Sequence, residues 1–257
     1  MGTHPQLWTA VRATRRAGEA LSSHSPTPGQ SREEAEGTTE SDLIAERAVL
    51  DVIEETFPEH NTVSEESSPV YTAKPRWIID PLDGTTNFLN GVPHYAVSVA
   101  FEGAGTEDVG VVYHIPTDTV FTAVEGHGAY ANGEPLSLSE TSELSNALVV
   151  TGFDAASVHD RDFETFRSLV SMTQGVRRFG SAASELAMVA AGRFDAFFER
   201  MLSVWDTTAG ALIVEEAGGE VTRVELFTDG NEEVILASNA QIHRELVVLF
   251  SSGITPE

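Results

Sequence analysis

The sequence Asp80-Pro81-Leu82-Asp83-Gly84-Thr85-Thr86-Asn87 carries most of the information about the fold and the chemistry of this chain. It follows the largely apolar segment Arg76-Trp77-Ile78-Ile79, which predicts a buried strand. The carboxylates of Asp80 and Asp83 therefore lie at a strand end, on a sharp turn that Pro81 stiffens and that Gly84 opens to a ligand. Because carboxylate and carbonyl oxygens are the ligands that hard divalent cations prefer, this run predicts a Mg²⁺ site.

Two other segments add acids to this pattern. Glu65 and Glu66 stand together in Ser64-Glu65-Glu66-Ser67, and Asp206 follows Trp205 at the start of a predicted helix that ends at Gly218-Gly219. An isolated aspartate is also a common turn former, and Asp206 alone could be the N-cap of its helix. Three acidic segments in one chain favour metal binding, and both roles of Asp206 are compatible because a helix N-terminus attracts an anion.

In this order, the three segments resemble the signature of the inositol monophosphatase superfamily of Mg²⁺-dependent phosphatases. That signature is an acidic pair, then Asp-Pro-hydrophobic-Asp-Gly-Thr, then a Trp-Asp before a helix ending in Glu-Ala-Gly-Gly. The resemblance extends from about Leu7 to about Leu249, through Gly180-Ser181-Ala182-Ala183, Val189-Ala190-Ala191-Gly192-Arg193 and Phe198-Glu199. It implies an α/β fold with αβαβα layers, a five-layer sandwich of the inositol monophosphatase and fructose-1,6-bisphosphatase type. Residues 1–145 would form an N-terminal half with most metal ligands, and residues 146–257 a C-terminal half with Asp206 and the substrate contacts.

The resemblance also implies a ligand set. A first Mg²⁺ would be held by Glu65, Asp80 and the Leu82 carbonyl, and a second by Asp80, Asp83 and Asp206. Glu65 and Thr85 would orient the water that attacks phosphorus, so Glu65, Thr85 and Asp83 are the expected catalytic residues.

Substrate contacts are expected on two sides of this centre. The backbone N–H groups of Gly84 and Thr85 suit phosphate oxygens. The resemblance implies that Gly180, Ser181, Ala182 and Glu199 contact the rest of the substrate. The plainer alternatives are that Ser181 caps a helix and that Glu199 is surface charge.

Two more acids would support the ligands without touching the metal. The resemblance implies that Asp42 anchors the helix before the site. Glu66 is expected either to support the ligands or to be solvated. The family often carries a lysine in the loop after the first helix, but residues 23–40 contain none. That departure puts a third metal, and with it lithium sensitivity, in doubt.

The resemblance implies hydrolysis of a small polyol or sugar phosphate, with inositol 1-phosphate first and fructose 1,6-bisphosphate, or both activities, as the alternative. Other monoesters, and a regulatory homologue without turnover, also stay open. Family members are commonly homodimers, so a homodimer is expected.

Composition limits the class of protein. The chain has 257 residues, of which 41% are hydrophobic, enough for one large α/β unit. It has no apolar run near 18 residues, no signal-peptide pattern at its N-terminus and no cysteine. We therefore expect no membrane span, no disulfide or thiolate chemistry, and a cytoplasmic location.

The charge is unusual. Forty acids against 15 bases give a formal net charge of -25, and Lys74 is the only lysine. This pattern resembles proteins of extreme halophiles, because such self-repulsion is screened at molar salt; the alternative is an ordinary solvated acidic surface. The same charge argues against nucleic acid and anionic membranes as partners.

Hydrophobic periodicity predicts the remaining elements. In the first predicted helix, Thr14 and Gly18 interrupt the apolar stripe. Asn132-Gly133 predicts a hairpin turn. Helices are predicted at 7–22, 42–56, 163–172, 181–191, 206–217 and 241–250, and strands at 95–101, 109–113, 119–123, 147–150, 194–198, 221–224 and 234–237.

Overall fold

The computed structural model describes residues 4–24, 38–67, 74–105, 108–153, 160–225 and 233–252. Its helices are α1 (Pro5–Ser23), α2 (Glu40–Thr56), α3 (Thr85–Leu89), α4 (Asp160–Met172), α5 (Ala182–Ala190), α6 (Val204–Glu216) and α7 (His243–Ser252). Its strands are β1 (Asn61–Ser64), β2 (Arg76–Asp83), β3 (Ala96–Glu102), β4 (Val109–His114), β5 (Thr119–Val124), β6 (Ala129–Ala131), β7 (Glu134–Pro135), β8 (Leu148–Thr151), β9 (Gly175–Arg177), β10 (Ala196–Arg200), β11 (Glu220–Glu225) and β12 (Glu233–Ser238). They form two sheets between three layers of helices.

The first sheet has the strand order β1-β2-β3-β4-β5-β6-β7. β1 is parallel to β2, and the later pairs are antiparallel. Between β6 and β7, Asn132 and Gly133 have φ of 48° and 87°, as a two-residue hairpin turn of this kind requires. β3 and β4 are buried along nearly their whole length, because helices cover both faces of the sheet.

Helices α1 and α2 cover the outer face of this sheet. Their apolar side chains share one core with Trp77, Ile79, Val97 and Val111. Thr14 and Gly18 lie on the buried face of α1, within the apolar stripe that they were predicted to interrupt, and the helix continues through both. The Thr14 hydroxyl donates to the Val11 carbonyl within the helix, and Gly18 leaves room for the Tyr113 ring.

Helices α5 and α6 form the central layer between the two sheets. Close approaches at two glycines hold this layer in place. A Cβ at Gly110 of β4 would lie 2.7 Å from the Ala209 carbonyl of α6, and one at Gly210 of α6 would lie 2.7 Å from Leu186 of α5. The core here joins residues from both sheets, so α5 and α6 hold the two halves of the chain together.

The second sheet has the order β11-β12-β10-β8-β9. Its inner face packs on the central helices through Val150, Phe197 and Ile235, while Val149 and Leu236 on its outer face meet α4 and α7. The predicted αβαβα five-layer sandwich is therefore confirmed. The predicted boundary at residues 145 and 146 falls between the two sheets; the division of the site between two halves stays a prediction.

Most predicted elements are present with ends shifted by a few residues. One difference concerns the site: β2 continues through Asp83, with a register shift between Asp80 and Asp83. The sharp turn predicted at these residues instead begins at Gly84, which has a φ of 93°. The short elements β1, β6, β7, β9 and α3 were not predicted. Most of the lysine-free loop at residues 23–40 lies outside the described residues.

Within the described ranges, no helix is both long enough and apolar enough to cross a membrane.

Candidate active site

Asp80 is the centre of a cluster of acids at the end of β2. Its side chain is 1% exposed, and its Oδ1 accepts a hydrogen bond of 3.0 Å from the Leu82 backbone N–H. Burial raises the pKa of Asp80 well above its usual range, and the nearby charges of Glu65, Asp83 and Asp206 raise it further. The four carboxylates, which we call the acidic cluster, therefore come from three separate segments and interact through space.

Asp83 lies against the first turn of α5. Its carboxylate accepts hydrogen bonds from the Ser181 hydroxyl at 2.6 Å and from the backbone N–H groups of Ala182 and Ala183 at 3.1 and 2.8 Å. Burial raises the pKa of Asp83, and these hydrogen bonds, led by the one from Ser181, oppose the rise. Asp83 thus links the acidic cluster to the N-terminus of α5.

The other two members of the cluster enter from opposite sides. Glu65 directly follows β1, where its backbone N–H donates to the Ile79 carbonyl at 3.2 Å. Asp206 is the third residue of α6, and its carboxylate accepts the Ser203 backbone N–H at 2.6 Å. The N-cap of α6 is Ser203 and the helix begins at Val204, two residues before the predicted start at Asp206. Asp206 therefore takes part in the capping box without being the N-cap. Both acids are partly exposed and can reach a ligand.

Thr85 is held beside the cluster by Asp42. The Thr85 hydroxyl lies 2.8 Å from Asp42 Oδ1 and 3.0 Å from the Leu82 carbonyl oxygen, both of which are acceptors. Asp42 is 1% exposed and is fixed in turn by the Thr39 backbone N–H at 2.7 Å, in a capping box at the start of α2. Since its one proton is engaged, the Thr85 oxygen keeps lone pairs with which to accept a hydrogen bond.

The chemistry of the acidic cluster fits a hard divalent cation. Four carboxylates and a backbone carbonyl are the ligands that Mg²⁺ prefers. A bound cation would offset the mutual repulsion of these acids, which together with burial raises the pKa of Asp80. Across the described ranges, no three acidic or histidine side chains already stand in an arrangement that could hold a metal ion. Asp83 and Asp206 each accept hydrogen bonds from backbone N–H groups, so contacts within the protein also hold these two side chains.

The predicted substrate segment lies next to this cluster. Gly180 is exposed with a φ of 81°, whereas Ser181 and Ala182 are buried. Ser181 is the N-cap residue of α5, but its hydroxyl lies 2.6 Å from both Asp83 Oδ2 and Ser184 Oγ instead of capping the helix. A Cβ at Gly84 would approach the His94 and Gly180 carbonyls to 3.0 and 3.3 Å, so glycine is required both by space and by φ.

Glu199 faces the cluster from β10 and is partly exposed. Burial raises the pKa of Glu199 well above its usual range. The negative charges of Glu185, Asp206 and Asp83 raise it further, and the positive charge of Arg178 lowers it. Glu199 therefore interacts electrostatically with acids of the cluster, as a surface acid far from the site would not do. Glu66 is partly exposed and accepts a hydrogen bond from the Thr38 hydroxyl.

The comparisons with known proteins agree with this geometry. The model of the inositol monophosphatase family matches residues 4–253. The chain belongs to the inositol monophosphatase family. A structure of the family's inositol monophosphatase from Anabaena (Nostoc) sp. PCC 7120 superimposes with a TM-score of 0.83 at 38% identity, covering 95% of each chain. An inositol monophosphatase from Thermotoga maritima superimposes with a TM-score of 0.85 at 32% identity, covering 97% of this chain and 98% of that one.

Membership in the inositol monophosphatase family supports a phosphatase that uses a metal. Curated relatives carry a different kind of name. The protein of Escherichia coli strain K12 is 38% identical over 256 residues, with 95% of each sequence covered, and is named Nus factor SuhB.

Several residues around the site were not predicted from the family pattern. Asn87 donates to the carbonyls of His94 and Phe179 at 2.8 and 2.7 Å. Glu185, fully buried in α5, accepts the N–H groups of Phe179 and Gly180 at 3.0 Å each. Asn87 ends the quoted motif and could have been noticed, whereas nothing around Glu185 in the sequence distinguishes it from an exposed helical acid.

Glu185 is unusual electrostatically. Burial raises its pKa to about 8, the charge of Asp83 contributes in the same direction, and the two backbone N–H groups and Arg178 oppose the rise. Its second oxygen, Oε2, is buried with no hydrogen-bond partner. An acid in this position holds the segment next to the site in place, at a free-energy cost that grows when the acid is ionised.

Proposed function

We propose that this chain is a Mg²⁺-dependent phosphatase that hydrolyses a phosphate monoester of a small polyol, with inositol 1-phosphate as its best substrate. The observation that carries the proposal is the acidic cluster around Asp80, with the Thr85–Asp42 hydrogen bond directly beside it. Glu65, Asp80, the Leu82 carbonyl, Asp83 and Asp206 would hold Mg²⁺. When bound, Mg²⁺ supplies the positive charge that polarises water and phosphate oxygens.

The protein's own part in the reaction is to position a water and the phosphate. With its proton directed to Asp42 or to the Leu82 carbonyl, the Thr85 oxygen accepts a hydrogen bond from the attacking water. Glu65 would accept that water's proton. The N–H groups of Gly84 and Thr85 would hold the phosphate oxygens so that the water attacks phosphorus in line, without a covalent intermediate on the enzyme. The P–O bond to the polyol breaks as the new bond forms, and the released polyol oxygen takes up a proton from solvent.

The polyol part of the substrate would lie against Gly180 and Glu199. The partly exposed acid on this side is Glu199, and the charges of the buried Glu185 and of Arg178 act on it. Such an acidic wall suits the hydroxyl donors of a polyol better than a second phosphate group, which favours inositol 1-phosphate over fructose 1,6-bisphosphate. The relatives of known structure that are named inositol monophosphatases support the same choice.

A regulatory homologue without turnover is the second candidate, because curated relatives are named Nus factor SuhB. The acids expected for catalysis are all present here, which favours turnover. The net charge of -25 also opposes direct contact with a nucleic acid backbone. We further propose a cytoplasmic homodimer, on family resemblance, which light scattering of the purified protein tests.

A phosphate-release assay decides between these functions. The protein is incubated with Mg²⁺ at molar KCl and with inositol 1-phosphate, fructose 1,6-bisphosphate or another monoester. We expect the highest kcat/KM for inositol 1-phosphate and no release after chelation of the metal. Faster hydrolysis of fructose 1,6-bisphosphate would correct the substrate, and no release from any ester would reject the enzyme.

A further inference from the structure

The carboxylate of Glu199 occupies a space that exists only because residue 152 is glycine. A Cβ built on Gly152 would lie far inside van der Waals contact with both carboxylate oxygens and with Cδ of Glu199. The φ of Gly152 is not in the left-handed region, so its backbone would accept other residues. What requires glycine at this position is therefore the neighbouring carboxylate.

The strand register explains why these two residues meet. β8 and β10 are parallel neighbours in which Thr151 is paired with Phe198. Gly152 directly follows β8, and Glu199 is the next residue of β10. Laterally neighbouring positions in a sheet point to the same face. The Glu199 carboxylate therefore lies over the Gly152 backbone, in what we call the Gly152 recess.

Both walls of the Gly152 recess are fixed by other contacts. On one side, Arg178 donates to the Phe153 carbonyl at 2.8 Å, and its guanidinium lies 4.5 Å from the Phe153 ring centroid. On the other side, Arg200 makes two hydrogen bonds, of 2.6 and 2.7 Å, to Asp162 of α4. Because the backbone on both sides is held, a side chain added at position 152 would displace the end of Glu199 and leave the strands in place.

We infer that Gly152 is a specificity-determining residue, which sets where the Glu199 carboxylate can accept a hydroxyl of the substrate. The inference rests on the proposed function, in which Glu199 binds the polyol. It makes Gly152 a positioning residue: it acts on the substrate through Glu199. A larger residue at 152 moves the carboxylate into the space that the polyol occupies, so discrimination between hydroxylated and plain phosphate esters is lost.

The test compares Gly152→Ala with a matched control, Gly175→Ala. Gly175 lies in β9 of the same sheet, and a Cβ there would meet only the flexible end of Arg177 at 3.1 Å and more distant atoms. Both variants are assayed with Mg²⁺ on inositol 1-phosphate and on 4-nitrophenyl phosphate, which has no aliphatic hydroxyl. Glu199→Ala and the double variant Gly152→Ala with Glu199→Ala complete a double-mutant cycle.

In Gly152→Ala, kcat/KM for inositol 1-phosphate should fall about 10- to 100-fold, the equivalent of one hydrogen bond to a charged group. On 4-nitrophenyl phosphate the same variant should change by less than about twofold, since that ester offers Glu199 no hydroxyl. Gly175→Ala should resemble the wild type on both esters. In the Glu199→Ala background, adding Gly152→Ala should change neither activity nor melting temperature, because the recess is then empty.

Four outcomes for the Gly152→Ala substitution overturn the inference. They are wild-type activity of Gly152→Ala on inositol 1-phosphate, an equal loss on both esters, a further loss in the Glu199→Ala background, and a melting temperature that falls equally with and without Glu199. A Glu199→Ala protein with normal discrimination also rejects it, while leaving the phosphatase standing. If the wild type hydrolyses no ester, the proposed function itself fails and the inference fails with it.

Discussion

The acids of the central cluster and the acids of the surface carry the same carboxylate group in opposite environments. Asp80 and Asp83 are 1% and 8% exposed, whereas the side chains of Glu55 and Asp118 are 72% and 73% exposed. The buried acids have raised pKa values and each depends on named partners. The surface acids meet a few arginines in exposed pairs, such as Arg12–Glu55, which contribute little to stability.

This difference teaches that the net charge and the candidate function come from separate sets of residues. The charge of -25 is mainly a property of the surface, while the proposed chemistry depends on a cluster whose centre, Asp80 and Asp83, water barely reaches. A change in the cluster should therefore alter catalysis strongly and stability in an unusual direction. A change in surface charge should alter only the response to salt.

The largest effect is expected for Asp80→Asn. Turnover should fall by about 10³-fold or more, because several kcal/mol of charge stabilisation are lost with the metal. Without metal, however, the variant should melt at a higher temperature than the wild type near pH 8, since a buried and crowded charge is removed. Activity assays and thermal melts with and without Mg²⁺ measure both effects.

The control for this variant is Glu54→Gln, at an exposed acid of α2, which should change neither activity nor stability appreciably. Near-normal turnover in Asp80→Asn would remove the acidic cluster from the mechanism. A lower melting temperature without metal would show that the carboxylate stabilises the fold.

A smaller loss is expected for Thr85→Ala. The variant should lose about 10²- to 10⁴-fold in kcat, the usual contribution of a positioned proton-transfer group, while its Mg²⁺ affinity changes little. The reason is that Thr85 contacts Asp42 and orients water, and is not in the proposed ligand set. Steady-state kinetics over a Mg²⁺ titration separate the two quantities, and Thr86→Ala on the next residue is the control. A change in kcat below about threefold would leave Thr85 with a role in the turn only.

A third prediction concerns Glu185 and pH. Its folded-state pKa of about 8 lies above the ordinary 4.5, so the folded protein binds this proton more tightly than the unfolded chain. The stability due to this proton is present at low pH and is lost as the pH rises from about 4.5 through about 8. In metal-free protein, Glu185→Gln should match the wild type at pH 5 and exceed its free energy of unfolding at pH 9 by an amount on the order of a few kcal/mol.

Urea unfolding at these two pH values measures the difference, with Glu54→Gln again as the exposed control. Parallel pH profiles for the wild type and Glu185→Gln would show that Glu185 titrates like a surface acid. In that case Glu185 would belong with the surface acids and not with the buried ones.

The smallest effect on chemistry is expected from salt. Surface charges repel over about 30 Å at 0.01 M salt and over about 3 Å at 1 M. The melting temperature should therefore rise from low to molar KCl, and activity should recover with the fold. Mg²⁺ should stabilise at lower concentration than KCl, because it also binds the folded site by mass action.

Thermal melts across KCl concentrations, with and without Mg²⁺, test the hypothesis that the protein is adapted to high salt. A flat melting temperature would reject it and leave the phosphatase proposal intact. An Asp80→Asn protein should keep the response to KCl and lose the extra response to Mg²⁺, which separates the surface from the cluster in one experiment.

The sequence predicted those parts of the molecule that depend on local or periodic patterns. The run from Asp80 to Asn87 marked the strand end, and the layers followed from the family resemblance that this run carries. The end of β2 was misjudged because Pro81, which favours a turn, is accommodated by the irregular pairing between Asp80 and Asp83. The start of α6 was placed at Asp206, because the capping box gives Ser203 and Asp206 similar signals.

The remaining site features depend on contacts between distant residues, for which one sequence carries no signal. In the sequence, Gly152 resembles any glycine after a strand. The need for glycine at this position comes from the carboxylate of Glu199, which lies on another strand. Glu185 could not be recognised for the same reason, because its burial depends on how α5 packs between the two sheets. Such positions can be found only once the register and packing are known.

The hydrogen bonds of Asp83 have a consequence for biosynthesis. The donors to this carboxylate follow it by 98 to 101 residues, at Ser181 and the first residues of α5. While the chain emerges from the ribosome at about 5–20 residues per second, the first sheet is complete before those donors exist. During that interval Asp83 lacks the hydrogen-bond donors of α5, and Asp206 has not yet been synthesised. The nascent N-terminal half therefore carries acids without the partners that they have in the folded protein. The order of synthesis therefore makes the arrival of α5 and α6 the step that closes the catalytic centre.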